Sequence, residues 1–134
     1  MVRPSRRISC VIDSDIIIDF LRQRDYAEVL LDNWAQEGLL AISAITHLEV
    51  YQGMRDKDEG ITNSLFGSLT TLPVDIPIAR QAGRMLRDMR ARGITVGIAD
   101  AVIASTSLYL GTPLLTNNVA HYPFPELRVV RGLE

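Results

Sequence analysis

The sequence predicts an α/β fold, a three-layer α/β/α sandwich around a central, mainly parallel sheet. Three observations predict it. Short β-branched apolar runs alternate with segments of helical spacing along the 134 residues. The short runs are apolar at successive positions rather than alternate ones, as strands buried on both faces are. Single glycines close the helical segments, and no repeat, low-complexity stretch or linker rich in Gly, Pro or Ser divides the chain. Residues 1–134 therefore read as a single domain.

Each element follows from its own signals. Ile8–Ile12 is the first strand, and Ser14 or Asp15 caps a helix reaching Gln23. Tyr26, Val29, Leu30 and Trp34 share a helical face in residues 26–37, which stop at Gly38. Residues 39–42 form a second strand, and Ser43 caps a helix through Gln52 that Gly53 ends. A polar stretch, 55–60, leads to a weaker helix over 62–69, and residues 72–75 form a short strand. Pro77 sits in the first turn of an amphipathic helix ending at Gly93. Ile78, Ala82, Met85, Leu86 and Met89 share one side of it, and Arg80, Arg84 and Arg87 the other. Ile98–Leu110 is apolar nearly all round, a buried helix closed by Gly111. Leu114–Thr116 and residues 127–130 supply the last strands.

Composition narrows the function classes. An apolar fraction of 47% with 22% charged residues is globular rather than disordered. The net charge of −2 excludes a generic polyanion binder. Lys57 is the only lysine among 14 basic residues. Arginine suits bidentate phosphate recognition, and a genome-wide bias explains the same count equally well. Cys10 is the only cysteine, so there is no disulfide framework, and a reducing cytoplasm is expected. Arg3, Arg6 and Arg7 precede an apolar stretch, but Asp13, Asp15 and Asp19 cut it short, so no signal peptide is read there. Nothing approaches the ~20 apolar residues of a membrane span.

The chemistry lies in three acids among apolar neighbours. Asp13 directly follows the first strand, Glu49 lies mid-helix after the second, and Asp100 opens the buried helix. Open parallel sheets carry their sites at the carboxyl ends of strands. A carboxylate near a core is costly unless paired or metal-bound, and cationic partners are scarce near these segments. Convergent carboxylates without lysines suggest a hard divalent cation such as Mg²⁺ or Mn²⁺. Each acid also has a plainer role: Asp13 and Asp100 as helix caps, Glu49 on a solvent-facing side. Asp15 suits a helix first turn, and Asp19 a polar contact near the site. His47, two residues before Glu49, points elsewhere on a helix and is a surface or packing residue.

The residues also carry a resemblance. Val11-Ile-Asp13-Ser14-Asp15-Ile-Ile-Ile-Asp19 resembles the opening motif of PIN domains, an apolar strand ending in Asp-Thr/Ser before a short helix. Residues 42–53, with Glu49, resemble the second motif, and residues 97–105, with Asp100, the third. Residues 114–122 resemble the closing segment. The four motifs occur in order within residues 8–131, and the compact length is most similar to VapC-type toxins of toxin–antitoxin pairs.

That resemblance implies a PIN-like sandwich and a Mg²⁺- or Mn²⁺-dependent endoribonuclease. Asp13 and Asp100 are then the direct metal ligands, and Glu49 binds through water or orients the nucleophile. Many PIN domains carry a fourth acid where this chain has Asn118, which implies a site of reduced charge holding one metal. Ser14 and Thr116 match hydroxyl positions that orient carboxylates or water, and His121 lies in the segment that closes the site. The implied partners are an RNA substrate, a cognate antitoxin and a second copy in a homodimer. The arginine face of residues 77–92 is either solvated surface or a track for the RNA backbone. The helix of Tyr26 and Trp34 is core or dimer surface rather than a base-stacking platform.

Two rivals come from other classes. Asp13-Ser14-Asp15 after a strand also resembles the opening of haloacid-dehalogenase-type phosphohydrolases, with Asp13 as nucleophile. That family needs a phosphate-side lysine and a late acidic pair, which this chain lacks. The other rival is a degenerate PIN domain kept for protein binding, for which Asn118 speaks.

Overall fold

The computed structural model describes residues 7–133. Five strands, β1 (Ile8–Ile12), β2 (Leu39–Ser43), β3 (Thr70–Leu72), β4 (Leu114–Thr116) and β5 (Val129–Arg131), form one sheet in the order β3-β2-β1-β4-β5. Every neighbouring pair is parallel. The helices are α1 (Ser14–Leu21), α2 (Asp25–Glu37), α3 (Ala44–Gly53), α4 (Glu59–Gly67), α5 (Ile76–Ala91) and α6 (Ile98–Leu110).

Strand side chains divide by parity. Val11, Ala41 and Leu114 pack with Met85, Met89 and Ile103, on the side of α5 and α6. Cys10, Ile12, Ile42 and Leu115 pack with Ile16, Ile17, Leu31, Val50 and Phe66, on the side of α1 to α4. Both faces of the sheet are covered, which explains strands apolar at successive positions. As the wheel predicts, α5 buries Ile78, Ala82, Met85 and Met89 and exposes Arg80, Arg84 and Arg87. Helix α6 is buried throughout Ala101–Ser107 and closes on Gly111, whose φ of 66° favours glycine. Among the described residues no helix is long and apolar enough to cross a membrane.

The departures from expectation have local causes. Helix α1 ends at Leu21 because Gln23 turns left-handed, at φ 63°. Asp13, not Ser14 or Asp15, is its cap. The polar stretch before α4 is a 3₁₀ turn, Asp56–Asp58, that runs into a helix starting at Glu59; Thr62 Oγ1 donates to the Asp58 carbonyl at 2.8 Å. Strand β3 lies earlier than residues 72–75, because pairing with β2 sets its register at Ala41↔Thr70. Asp75 instead caps α5, accepting from the Ile78 amide at 3.2 Å. The last strand begins at Val129, and Leu127 is a buried core residue before it.

The chain leaves β1 toward β2 and β3 on one side, and β4 and β5 extend the sheet on the other. The carboxyl ends of β1 and β4 therefore flank the switch point, where open sheets present a crevice. Asp13 stands there.

Candidate active site

Asp13 is 3% exposed. Its Oδ1 caps α1 by accepting from the Ser14 amide at 2.7 Å, so the cap role is real. It is not the whole role. Oδ2 accepts from Thr116 Oγ1 and from the Tyr122 hydroxyl, both at 2.8 Å. Thr116 ends β4, and its Oγ1 also accepts from the Asn118 amide at 3.0 Å.

Asp100 lies in the first turn of α6 and is not its cap, which is Gly97. A Cβ on Gly97 would stand 3.2 Å from Asp100 Oδ2, so the absent side chain leaves the carboxylate room. Asp100 Oδ1 is 3.3 Å from the same Tyr122 hydroxyl. Its Oδ2 is 3.5 Å from His121 Nδ1, an ion pair when the imidazole is protonated. Glu49 on α3 is half-buried, and its Oε1 is buried with no hydrogen-bond partner.

Charge accumulates without compensation. Burial raises the Glu49 carboxyl, and the charges of Asp13, Asp100 and Asp15 raise it further, against the Ser14 hydroxyl, which lowers it. Burial also raises Asp100, with Asp13 adding to it; His121 and Tyr122 oppose. Asp15 is pushed up to about 6 by burial and then by Asp13, although the Asn117 amide donates to its Oδ2 at 2.8 Å. Among the described residues no lysine or arginine pairs with these four acids.

Among the described residues, no three His, Cys, Asp or Glu side chains form a set that would hold a metal by itself. The carboxylates are an open cluster rather than a cage. Such a donor set fits Mg²⁺, which is commonly held by one or two carboxylates and keeps several waters. The unpartnered Glu49 oxygen is the observation that supports the fit.

Asp13 and Asp100 are thus brought onto one hydroxyl, and Glu49 into electrostatic reach of both. Asn118 follows Thr116 with an exposed side chain that makes no hydrogen bond among the described residues. His121 reaches the site, whereas His47 packs on Phe66 in a tilted pair, ring centroids 4.1 Å apart, and meets Thr71 Oγ1 at 2.9 Å. Trp34 is half-buried and packs against the core. Tyr26 does something the helical pattern did not suggest: its hydroxyl donates to Asp19 and accepts from Asn117 Nδ2 at 2.7 Å. Asp19 also meets Arg24 at 3.5 Å. The residue sequence reasoning missed is Tyr122. Its available signal was a tyrosine in an apolar setting, which needs an acceptor for its hydroxyl.

The chain is similar to known proteins over most of its length. The family model described as PIN domain matches residues 10–125. Ribonuclease VapC10 of Mycobacterium tuberculosis is 34% identical over 116 residues, 87% of each chain. Ribonuclease VapC19 of the same organism is 32% identical over 120 residues, 88% of this chain and 96% of the relative. In fold, the chain is similar to DNA-bound VapBC from Salmonella typhimurium, with a TM-score of 0.83, 20% identity and 93% and 98% of the two chains covered. It is also similar to a toxin–antitoxin complex from Klebsiella pneumoniae, with a TM-score of 0.81, 24% identity and 94% and 99% covered. The haloacid-dehalogenase alternative is thereby displaced. With residues 10–125 matched by the family model and two relatives more than 30% identical over 87–88% of its length, the chain belongs to the PIN domain family and, within it, to the VapC ribonucleases.

Proposed function

We propose that this protein is a divalent-metal-dependent endoribonuclease, the toxin of a toxin–antitoxin pair, with residues 1–134 acting as one PIN domain. The observation that carries the reading is the uncompensated cluster of Asp13, Glu49 and Asp100, with one Glu49 oxygen buried and unpartnered. An unpaired buried charge is destabilising, and functional sites are where such cost is retained. The names of the VapC relatives support RNA as the substrate.

Asp13 and Asp100 are the proposed ligands of Mg²⁺, or of Mn²⁺ in its place. When bound, the cation supplies positive charge against the scissile phosphodiester and acidifies nearby water. Glu49 would bind the cation through water or help orient the attacking water. Ser14 and Thr116 hold Asp13 in one rotamer through the cap and the 2.8 Å hydroxyl contact. Asn118 offers an exposed amide to the RNA or to water and adds no charge.

The toxin–antitoxin complexes among the structural neighbours support a cognate antitoxin as partner. The further parts of the reading are a homodimer and a cytoplasmic setting, the latter supported by the lone buried Cys10. Cleavage-site mapping on total RNA tests the function. Wild type should cut at discrete positions with added Mg²⁺, and Asp100→Asn should cut ~10²–10³-fold more slowly. Equal single-turnover rates would exclude the assignment.

One observation, the neutral Asn118, favours a second reading as a binding-only module. Such a module would show no Mg²⁺ or Mn²⁺ binding that Asp13→Ala abolishes.

A further inference from the structure

The Tyr122 hydroxyl stands between the two proposed ligands, 2.8 Å from Asp13 Oδ2 and 3.3 Å from Asp100 Oδ1. Its ring has no freedom to swing away. Tyr122 is 4% exposed and belongs to the core cluster of Met85, Met89, Phe124 and Leu127. A phenol is protonated at neutral pH, so the hydroxyl is a donor to both carboxylates.

A phenol has one proton, and here two carboxylates from different elements share it. Asp13 Oδ2 is committed inward, to Tyr122 and Thr116, while Oδ1 accepts from the Ser14 amide at 2.7 Å and, more loosely, from the Ser14 hydroxyl at 3.4 Å. On Asp100, Oδ1 turns to the same hydroxyl, and Oδ2 faces His121 and the space beside Gly97. A phenylalanine would fill the same volume in the core. It would also leave two mutually repelling carboxylates with no common anchor.

We propose that Tyr122 is a positioning residue, whose buried hydroxyl sets the spacing and facing of the Asp13 and Asp100 carboxylates and so pre-forms the cation site. This rests on the metal-dependent reading above. A tyrosine that serves only the core is a separable case, because its hydroxyl would be irrelevant to cation affinity.

Calorimetric titration of Mn²⁺ into metal-stripped protein tests it, on wild type, Tyr122→Phe, Phe124→Leu and Asp100→Asn. Tyr122→Phe should bind Mn²⁺ about 10–100-fold more weakly, the usual effect of losing a group that orients a ligand. Phe124→Leu loosens the same core without touching either carboxylate, and should keep wild-type affinity despite a lower Tm. Wild-type affinity in Tyr122→Phe overturns the proposal, as does an equal loss in Phe124→Leu. Asp100→Asn separates the layers of the argument. If it binds as wild type does, or if wild type binds no Mn²⁺, the cation site itself falls; if it alone loses binding, only the role of Tyr122 falls.

Discussion

At the amino end of the sheet, Arg7, Trp34, Glu37, Thr112 and Arg128 help to line an open cavity of about 880 Å³. At the carboxyl end, Asp13 meets the Thr116 and Tyr122 hydroxyls, Asp100 meets that of Tyr122, and Asp15 and Glu49 lie within electrostatic reach. Both ends leave a buried oxygen unpartnered, Thr112 Oγ1 at the first and Glu49 Oε1 at the second. The chemistry of those oxygens separates the ends. An unpaired hydroxyl costs about 1–3 kcal/mol, whereas an unpaired buried carboxylate costs more and attracts a cation. The amino end also carries arginines beside its glutamate, so its charge is mixed. The amino-end hollow is therefore the poorer candidate for a site; unbalanced charge is the better guide.

The largest effect expected from this comparison comes from Glu49→Gln. RNA cleavage should fall about 10²-fold. Metal-free protein should meanwhile gain several degrees in Tm, because one of the repelling charges is gone. Calorimetric melting in chelator reads the second effect. A loss of both activity and stability would mean that the carboxyl end is an ordinary packed region and not a strained one.

A smaller effect is expected from pH. Asp15 has a folded value of about 6 against 3.8 unperturbed, so the folded state holds more protons between those values. Its contribution to stability is fully present below about 4 and is lost as pH rises through about 6. Glu49 and Asp100 are displaced in the same direction. Metal-free protein should therefore melt a few degrees higher at pH 5 than at pH 7, and Asp15→Asn should flatten that slope. A Tm that falls steadily from pH 7 to pH 5 would remove the electrostatic distinction between the two ends.

The smallest effect tests the other side. Arg128→Glu reverses a charge on the amino-end cavity, and RNA cleavage should stay within about twofold of wild type. A loss comparable to that of Glu49→Gln would turn the comparison around.

How much of this was legible depended on how far each signal reached along the chain. Asp13 was legible because it ends an apolar run, and Asp100 because it opens a helix apolar on all sides. The cap of α1 was ambiguous, since Asp13, Ser14 and Asp15 are three capping types in a row. Glu49 needed the family pattern: Ile45, Leu48 and Val50 surround α3 with apolar groups, so no polar face showed which way the acid turned. Strand β3 has three residues, too few to express a period, and its place is set by pairing. The role of Tyr122 was beyond any local pattern. Its partners lie 109 and 22 residues away, and its function exists only where three segments meet.

The position of β1 at the centre of the sheet has a consequence for the birth of the molecule. Asp13 leaves the ribosome before Thr116 and Tyr122, which hold it and follow 103 and 109 residues later. Asp100 likewise follows Asp13 by 87 residues. A half-made polypeptide carries the first acid with none of its supports, and the last acid has not yet been added. The acid cluster is therefore incomplete in a chain still being translated, and it is assembled only when β4 pairs beside β1.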